Sequence, residues 1–371
     1  MKIRSSTLAL AVATALSTLI ALPAQALQIT TASANFDSTA SISDVEDTPP
    51  QNSSNNNGVS LGSSLPNQFN SSLGVLTGAT LNLSSTRTQT TQVTSTNGPN
   101  TGTNVQVTSS GTGTSNAQLV APGVSNTFST INLTDTCSGN RQGSCTGTAS
   151  TSNTATNAGL NVNSANLNDY VGGGSVAAAR TAPTLTALQS NNVFTGFETT
   201  AYALRWQGSL SITYTYLLHA ASSFGGSSSL LTLDLDFGTV FLGDPVPGLS
   251  FSIYNRAGDR VGLDLDSISG TGHTSTLTTD LSSFSALAAG SSRNFLASLN
   301  TSAAGTYNAQ YVLGLSDADV GASSSRSSYQ MTLNLRGQVV PAVTSTSVPE
   351  PGVLALLGAG LLGLGFARRR T

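Results

Sequence analysis

The chain is poor in charge, and poorest in positive charge. Of its 371 residues only 8% are charged. Lys2 and Arg4 sit at the start, and Arg368, Arg369 and Arg370 at the end. Between Leu27 and Ser347 there is no lysine, and nine arginines stand against sixteen acids, a net charge of −7. No polybasic surface can be assembled from that, which excludes nucleic acid as the partner. Histidine is almost missing: His219 and His273 are the only two. Serine is plentiful, but a serine nucleophile needs a base beside it. No GxSxG, HExxH or phosphate-binding loop occurs. The one triad left open joins His273 to Asp280 or Asp266. The composition therefore points to a protein that is not an enzyme, and it implies no cofactor.

What the chain has in quantity is Ser, Thr, Asn and Gly, with 37 glycines. Its two ends differ from this background. The start, MKIRSSTLALAVATALSTLIALPAQALQ, sets a positive segment before an apolar run from Leu8 to Leu22. Ala24-Gln25-Ala26 follows as a small-x-small cleavage site. Those three parts in that order predict a secretory signal over 1–26, removed by signal peptidase. The run is too short, and too closely followed by the cleavage site, for a transmembrane anchor. Export permits a disulfide. Cys137 and Cys145, in CSGNRQGSC, are the only candidates, and the loop they close is short. No His or second Cys pair lies nearby for zinc.

Between the ends the signal is period-two alternation, which marks half-buried strands. GATLNLSS places Ala79, Leu81 and Leu83 on one side. TNVQVTSS does so with Val105 and Val107, and STINLTD with Ile131 and Leu133. Polar stretches such as QNSSNNNG and GTASTSNTATNAG read as long loops, because they bury nothing apolar. SLSITYTYLLHA sets Leu210, Ile212, Tyr214, Tyr216 and Leu218 on one face. LLTLDLDFG follows after SSFGGSSS, which reads as a Gly/Ser linker. LSFSIYN, VGLDLDS, RNFLASLN, YNAQYVLGLSD and YQMTLNLRGQVV continue in the same style. About seven short strands separated by turn signals predict an antiparallel sandwich. No convincing amphipathic helix appears.

The expectation is an all-β protein with two antiparallel sandwich-like domains, at 27–222 and 228–341. Long polar loops decorate them. A signal helix precedes the first, and a linker at 342–348 leads to a C-terminal helix.

Three Asp-x-Asp pairs deserve weighing: Asp234 with Asp236, Asp264 with Asp266, and Asp317 with Asp319. On a strand each pair puts two carboxylates on one face. Clustered hard oxygens suit calcium. A solvated face that keeps the sheet from pairing explains them equally and is the reading preferred, so no metal site is assigned. Tyr202, Trp206, Tyr214 and Tyr216 form the only dense aromatic cluster. Exposed, they would suit a carbohydrate-binding or adhesive module, but their alternation points to burial.

The tail, SVPEPGVLALLGAGLLGLGFARRRT, is the strongest functional clue. Pro349-Glu350-Pro351 is a stiff, extended element. Residues 352–367 then form an uninterrupted apolar run, which as a helix spans about 24 Å, slightly short of a bilayer core. Snorkelling of Arg368, Arg369 and Arg370 covers the deficit and holds them on the cytoplasmic side. Gly358, Gly360, Gly363 and Gly365 weaken the helix, which suits a temporary anchor better than a permanent one. The signal and the tail agree on topology.

In order and spacing this tail, 349–371, resembles a PEP-CTERM sorting signal. The resemblance implies recognition of Pro349, Glu350 and Pro351 by exosortase, a membrane enzyme of Gram-negative bacteria. Cleavage near the motif follows, then transfer from the inner membrane to the cell surface or extracellular matrix. It also implies a link to exopolysaccharide and biofilm. FNSSLGVLTGATLNLSS, LNDYVGGGSV and SLSITYTY resemble pieces of choice-of-anchor ectodomains of the E type. LDFGTVFLGDPVPGLSFSIYNRAG with TLNLRGQVV resembles Hydin-type immunoglobulin-like domains, with Asn255-Arg256-Ala257-Gly258 as a departure at the turn. Both likenesses imply a scaffold with no catalytic residues to carry over. A plain C-terminal anchor is the alternative reading of the tail.

Overall fold

The computed structural model describes residues 25–46, 52–55, 66–95, 106–140, 143–176, 180–181, 184–191, 198–342 and 356–361. It is all-β, as the alternation predicts. The strands of the first half are β1 (Leu27–Thr30), β2 (Ala34–Glu46), β3 (Asn52–Asn55), β4 (Val75–Ser95), β5 (Gln106–Ala121) and β6 (Val124–Asn140). They continue with β7 (Cys145–Thr146), β8 (Ser150–Asn161), β9 (Arg180–Thr181), β10 (Thr184–Asn191) and β11 (Glu198–Leu217). The second half holds β12 (Ser222–Ser223), β13 (Thr232–Phe241), β14 (Leu249–Asn255), β15 (Leu263–Gly272) and β16 (Leu277–Thr279). After them come β17 (Phe284–Leu287), β18 (Ser292–Leu299), β19 (Gly305–Asp317) and β20 (Ser328–Val340).

In the first half a six-stranded sheet runs β1-β11-β4-β7, with β2 also on β11 and β8 on β4. A five-stranded sheet runs β3-β10-β5-β6, with β9 on β5. The frame is the long antiparallel pair of β4 and β11, which runs from Ser95 opposite Glu198 to Val75 opposite Leu217 with one register shift between Thr215 and Tyr216. The inward positions of β4 alternate faithfully: Ala79, Leu81, Leu83, Ser85, Arg87, Gln89, Thr91 and Val93 are all buried. Ala79, Leu81, Leu83, Leu210, Ile212 and Tyr214 share one core with Leu119, Phe128 and Trp206. The expected cluster of Tyr202, Trp206 and Tyr214 is therefore interior, at 2% exposure or less, and Tyr216 packs against the same core.

The reading of the polar stretches as loops is corrected. GTASTSNTATNAG is not a loop, because Ser150–Asn161 is strand β8, paired with β4 from Thr91 opposite Ser150 to Thr80 opposite Asn161. An edge strand is held by backbone hydrogen bonds and needs no apolar side chain. Outward hydroxyls and amides add cross-strand bonds: Thr80 Oγ1 donates to Asn161 Oδ1 at 2.9 Å, and Thr88 Oγ1 to Asn153 Oδ1 at 2.7 Å. Part of QNSSNNNG is likewise strand β3, paired with β10.

The second half packs a four-stranded sheet, β12-β14-β18-β16, on a five-stranded one, β13-β20-β19-β15-β17. Here β13 runs parallel to β20, while the other pairings are antiparallel. Phe251, Ile253, Leu263, Leu265, Phe295, Leu313, Leu315, Leu333 and Leu335 fill the space between them.

SSFGGSSS is not a free linker. Ser222 and Ser223 pair with Asn255 and Tyr254, and Phe224 is buried, 6.2 Å from the Phe251 ring. The Ser223 hydroxyl ties the turn by donating to Ser228 O and accepting from the N–H groups of Gly225 and Leu230, each at 2.9 Å. The chain passes from one core to the other earlier, between Leu217 and Ala220. Leu218 already donates to Asp259 O and accepts from Val261 N.

Candidate functional site

Two places carry the functional argument: the tail, and the junction that holds the two sandwiches together. Within the tail, residues 356–361 are helical, and Leu356, Leu357 and Leu361 are exposed. Pro349, Glu350, Pro351 and Arg368 to Arg370 lie outside the described residues, as does most of the expected membrane helix 352–367. Among the described residues no helix is long and apolar enough to cross a membrane. At the other end, Ala24 lies outside the described residues and Ala26 is exposed. The first strand begins at Leu27, the residue that the expected cleavage would leave first.

The junction is built from three short elements. A 3-10 turn at Ser71–Leu73 precedes β4, a second at Ser164–Tyr170 follows β8, and a third at Ser323–Ser325 precedes β20. Ser325 Oγ accepts from Leu76 N at 3.0 Å, and Ala322 N donates to Leu76 O at 2.8 Å. Asn168 Oδ1 accepts from Ser323 Oγ, Ser324 N and Ser324 Oγ at 3.2, 3.0 and 2.9 Å. Each core also borrows from the other half. Val75 is packed in the second core, and Ala322 in the first.

Asp317 stands at the centre of this junction. Its side chain is fully buried. Oδ2 accepts from His219 Nδ1 and Ser327 N, each at 2.8 Å. Oδ1 accepts from Ala220 N at 2.8 Å and from the Tyr329 hydroxyl at 2.7 Å. Burial pushes this carboxyl up, but the four donors outweigh it and hold Asp317 below its ordinary value. His219 Nε2 meets Ser71 O at 2.8 Å. Both imidazole nitrogens therefore face acceptors, which only the doubly protonated ring satisfies. The Asp317 hydrogen bond is the largest influence raising the His219 pKa, against burial and the nearby Arg260. Arg260 NH1 donates to His219 O at 2.9 Å. Among the described residues no hydroxyl bonds this imidazole. Its second nitrogen is spent on a backbone carbonyl, so the arrangement is an electrostatic clip.

The other histidine is committed as well. His273 Nδ1 lies 3.1 Å from both N and O of Asn308, and its ring packs edge-on to Tyr307 at 5.4 Å. The structure does not bring it to Asp280 or Asp266. Asp280 Oδ1 accepts from Leu296 N at 2.6 Å, and Asp266 is an exposed bulge residue.

The Asp-x-Asp pairs separate. Asp234 and Asp236 do share the outer face of β13, but Asp234 accepts from Asn334 Nδ2 at 2.7 Å and Asp236 pairs with Arg336 at 3.1 Å. Asp264 and Asp266 do not act together, because the register between β15 and β19 slips between Leu265 and Ser267. The bulge re-aims Asp266, while Asp264 accepts from Ala286 N at 2.6 Å. Asp317 ends its strand, so Asp319 turns outward to Arg326. Among the described residues no group of three His, Cys, Asp or Glu is gathered for a metal.

Cys137 and Cys145 form the expected disulfide, Cα to Cα 5.7 Å. Its placement was not foreseeable. Cys137 lies in β6 and Cys145 in β7, so the bond joins the two sheets of the first sandwich, packed against Val93. On the second sandwich, Asp234, Thr271, Asn308, Gln310, Asn334 and Arg336, with Leu235, Ala309 and Leu335, line an open groove of about 420 Å³. Neither this groove nor the clip is legible in the sequence, and Asn255 stands out there only as the start of a turn. That residue is buried and bonds Ala221 N, Val261 O and Leu287 O through one amide.

Comparison with known proteins speaks to the tail. Residues 347–370 match the PEP-CTERM protein-sorting motif. The match supports an exosortase-processed surface protein, with exosortase as the processing partner. It likewise supports export and membrane-associated sorting toward the cell surface. No curated protein matches the chain.

Proposed function

We propose that the two-sandwich body is a non-catalytic structural component of the surface or extracellular matrix of a Gram-negative bacterium. Signal peptidase and exosortase process its two ends, with a stay in the inner membrane between. The observation that carries this reading is the sorting motif at 347–370. The body suits the role. Its two cores are locked at a hydrogen-bonded junction, and its histidines are spent on structural contacts. The likeness of 27–220 to choice-of-anchor ectodomains, and of the second sandwich to Hydin-type domains, belongs to the same proposal, as does a link to exopolysaccharide or biofilm.

A second reading, a carbohydrate-binding or adhesive module, draws no support from the aromatic cluster, which is interior. The open groove around Asn308 and Arg336, with polar and apolar lining in similar measure, favours it instead. Its amides, carboxylate and guanidinium are the groups that sugar hydroxyls bond.

The deciding experiment is intact mass and fractionation of the protein from a host with exosortase, beside a variant with Pro349, Glu350 and Pro351 all replaced by Ala. Loss of about 20 residues from the C-terminus, with the variant retained in the membrane, is expected from cleavage near a motif ahead of a membrane span of this size. A product that keeps Phe366 and the arginines defines a plain anchor and removes the matrix-delivery reading.

A further inference from the structure

Arg87 and Trp206 are register partners on β4 and β11, so their side chains are neighbours on one face of the sheet. Both are 0% exposed. Arg87 NH2 donates to the Ser129 carbonyl at 2.5 Å, with the Ser129 hydroxyl at 3.5 Å. Among the described residues Arg87 Nε, Arg87 NH1 and Trp206 Nε1 meet no acceptor. None of the ion pairs among them involves Arg87. The other two unpartnered buried atoms are hydroxyls, Ser95 Oγ and Ser109 Oγ. The next inward residue of β4, by contrast, is satisfied. Gln89 donates to Gly113 O at 2.7 Å and accepts from Ser115 Oγ at 2.5 Å. Unmet N–H donors therefore concentrate in one cross-strand pair.

A buried guanidinium without a counter-charge is strongly disfavoured. Water offers acceptors but no charge. An anion offers both. The walls limit its size, since Phe36 and Phe128 pack edge-on to Trp206 at 5.4 and 6.2 Å and the layer is closed to solvent. We propose that the Arg87–Trp206 layer is a binding site for a small monovalent anion of halide size, taken up as the first sandwich closes. This site is independent of the sorting motif and of the groove on the second sandwich.

The chain has one tryptophan, so its fluorescence reports this site alone. The exported protein is unfolded and refolded across a series of sodium bromide concentrations at constant ionic strength, with gluconate as the bulky balancing anion and a parallel series containing chloride, so that the site loads as the sandwich closes. The expected result is saturable quenching of Trp206 that chloride reverses, with chloride also raising Tm by about 4 °C. Arg87→Met abolishes both effects, and Arg87→Lys weakens halide affinity, because the ammonium replaces a fork of several donors with one compact group. Quenching that is absent, or linear and insensitive to chloride, overturns the site, as does unchanged behaviour in Arg87→Met. Should Arg87→Met not fold, the wild-type competition between bromide and chloride decides alone.

Discussion

His219 Nδ1 and Asp317 Oδ2 lie 2.8 Å apart where the two sandwiches meet, one on the exit from β11 and the other at the end of β19. The pair is separated by 98 positions in sequence. It fixes the second sandwich on the first through one proton-carrying ring.

This pair gives stability a definite pH profile. His219 is raised above its ordinary 6.5, so its contribution is complete below that pH and is lost as pH rises through the folded value. Asp317 is lowered below its ordinary 3.8, so its contribution is present above that pH and is lost as pH falls through the folded value. Thermal unfolding is expected to show a plateau between these limits and a decline on each side. Asp317→Asn should cost about 3 kcal/mol, the usual penalty for breaking a buried pair, and should remove the alkaline decline. A wild-type Tm that stays flat from mildly acidic to alkaline pH contradicts the clip.

The disulfide is a cross-sheet staple, and its removal should be felt globally. Replacing Cys137 and Cys145 together by Ala is expected to cost about 2–3 kcal/mol in denaturant unfolding, as loop closure of this length predicts. The exported wild-type protein should titrate no free thiol under denaturing conditions. Two reactive thiols would show that the bond does not form.

Gly321 tests the backbone side of the junction. Its φ is +59°, and a Cβ there would collide with the Leu76 carbonyl, the same carbonyl that accepts from Ala322 N. Gly321→Ala should lower stability by about 1–3 kcal/mol through strain and lost docking. Gly173→Ala is the control, since nothing lies within 4 Å of its added methyl. Equal melting temperatures for the two variants would place Gly321 outside the junction's energetics.

Alternation was readable wherever one face is apolar. Ala79, Leu81 and Leu83, or Leu210, Ile212 and Tyr214, point into the core as their spacing requires. The same rule misread Ser150–Asn161 as a loop, because an outer strand is held through its backbone and its side chains need not alternate in polarity. It also misread the Asp264 and Asp266 pair, because a bulge shifts which face a residue takes and leaves no mark in composition. Arg87 carried no signal at all. A lone Arg in a Ser/Thr run reads as surface, and only its place opposite Trp206 makes it interior.

The sequence by itself determined the β character of the body, the inward faces of its long strands, the pairing of its only two cysteines and the sorting motif at its end. Each of these is local, set by side-chain period, by count, or by a contiguous run. The tertiary structure alone decided which polar segments became edge strands and where one sandwich passes into the next. It also decided how His219 meets Asp317, and why a guanidinium lies in a core. Those outcomes depend on segments far apart in the chain being brought together by backbone hydrogen bonds, which are the same for every residue type and so leave no imprint in the order of side chains.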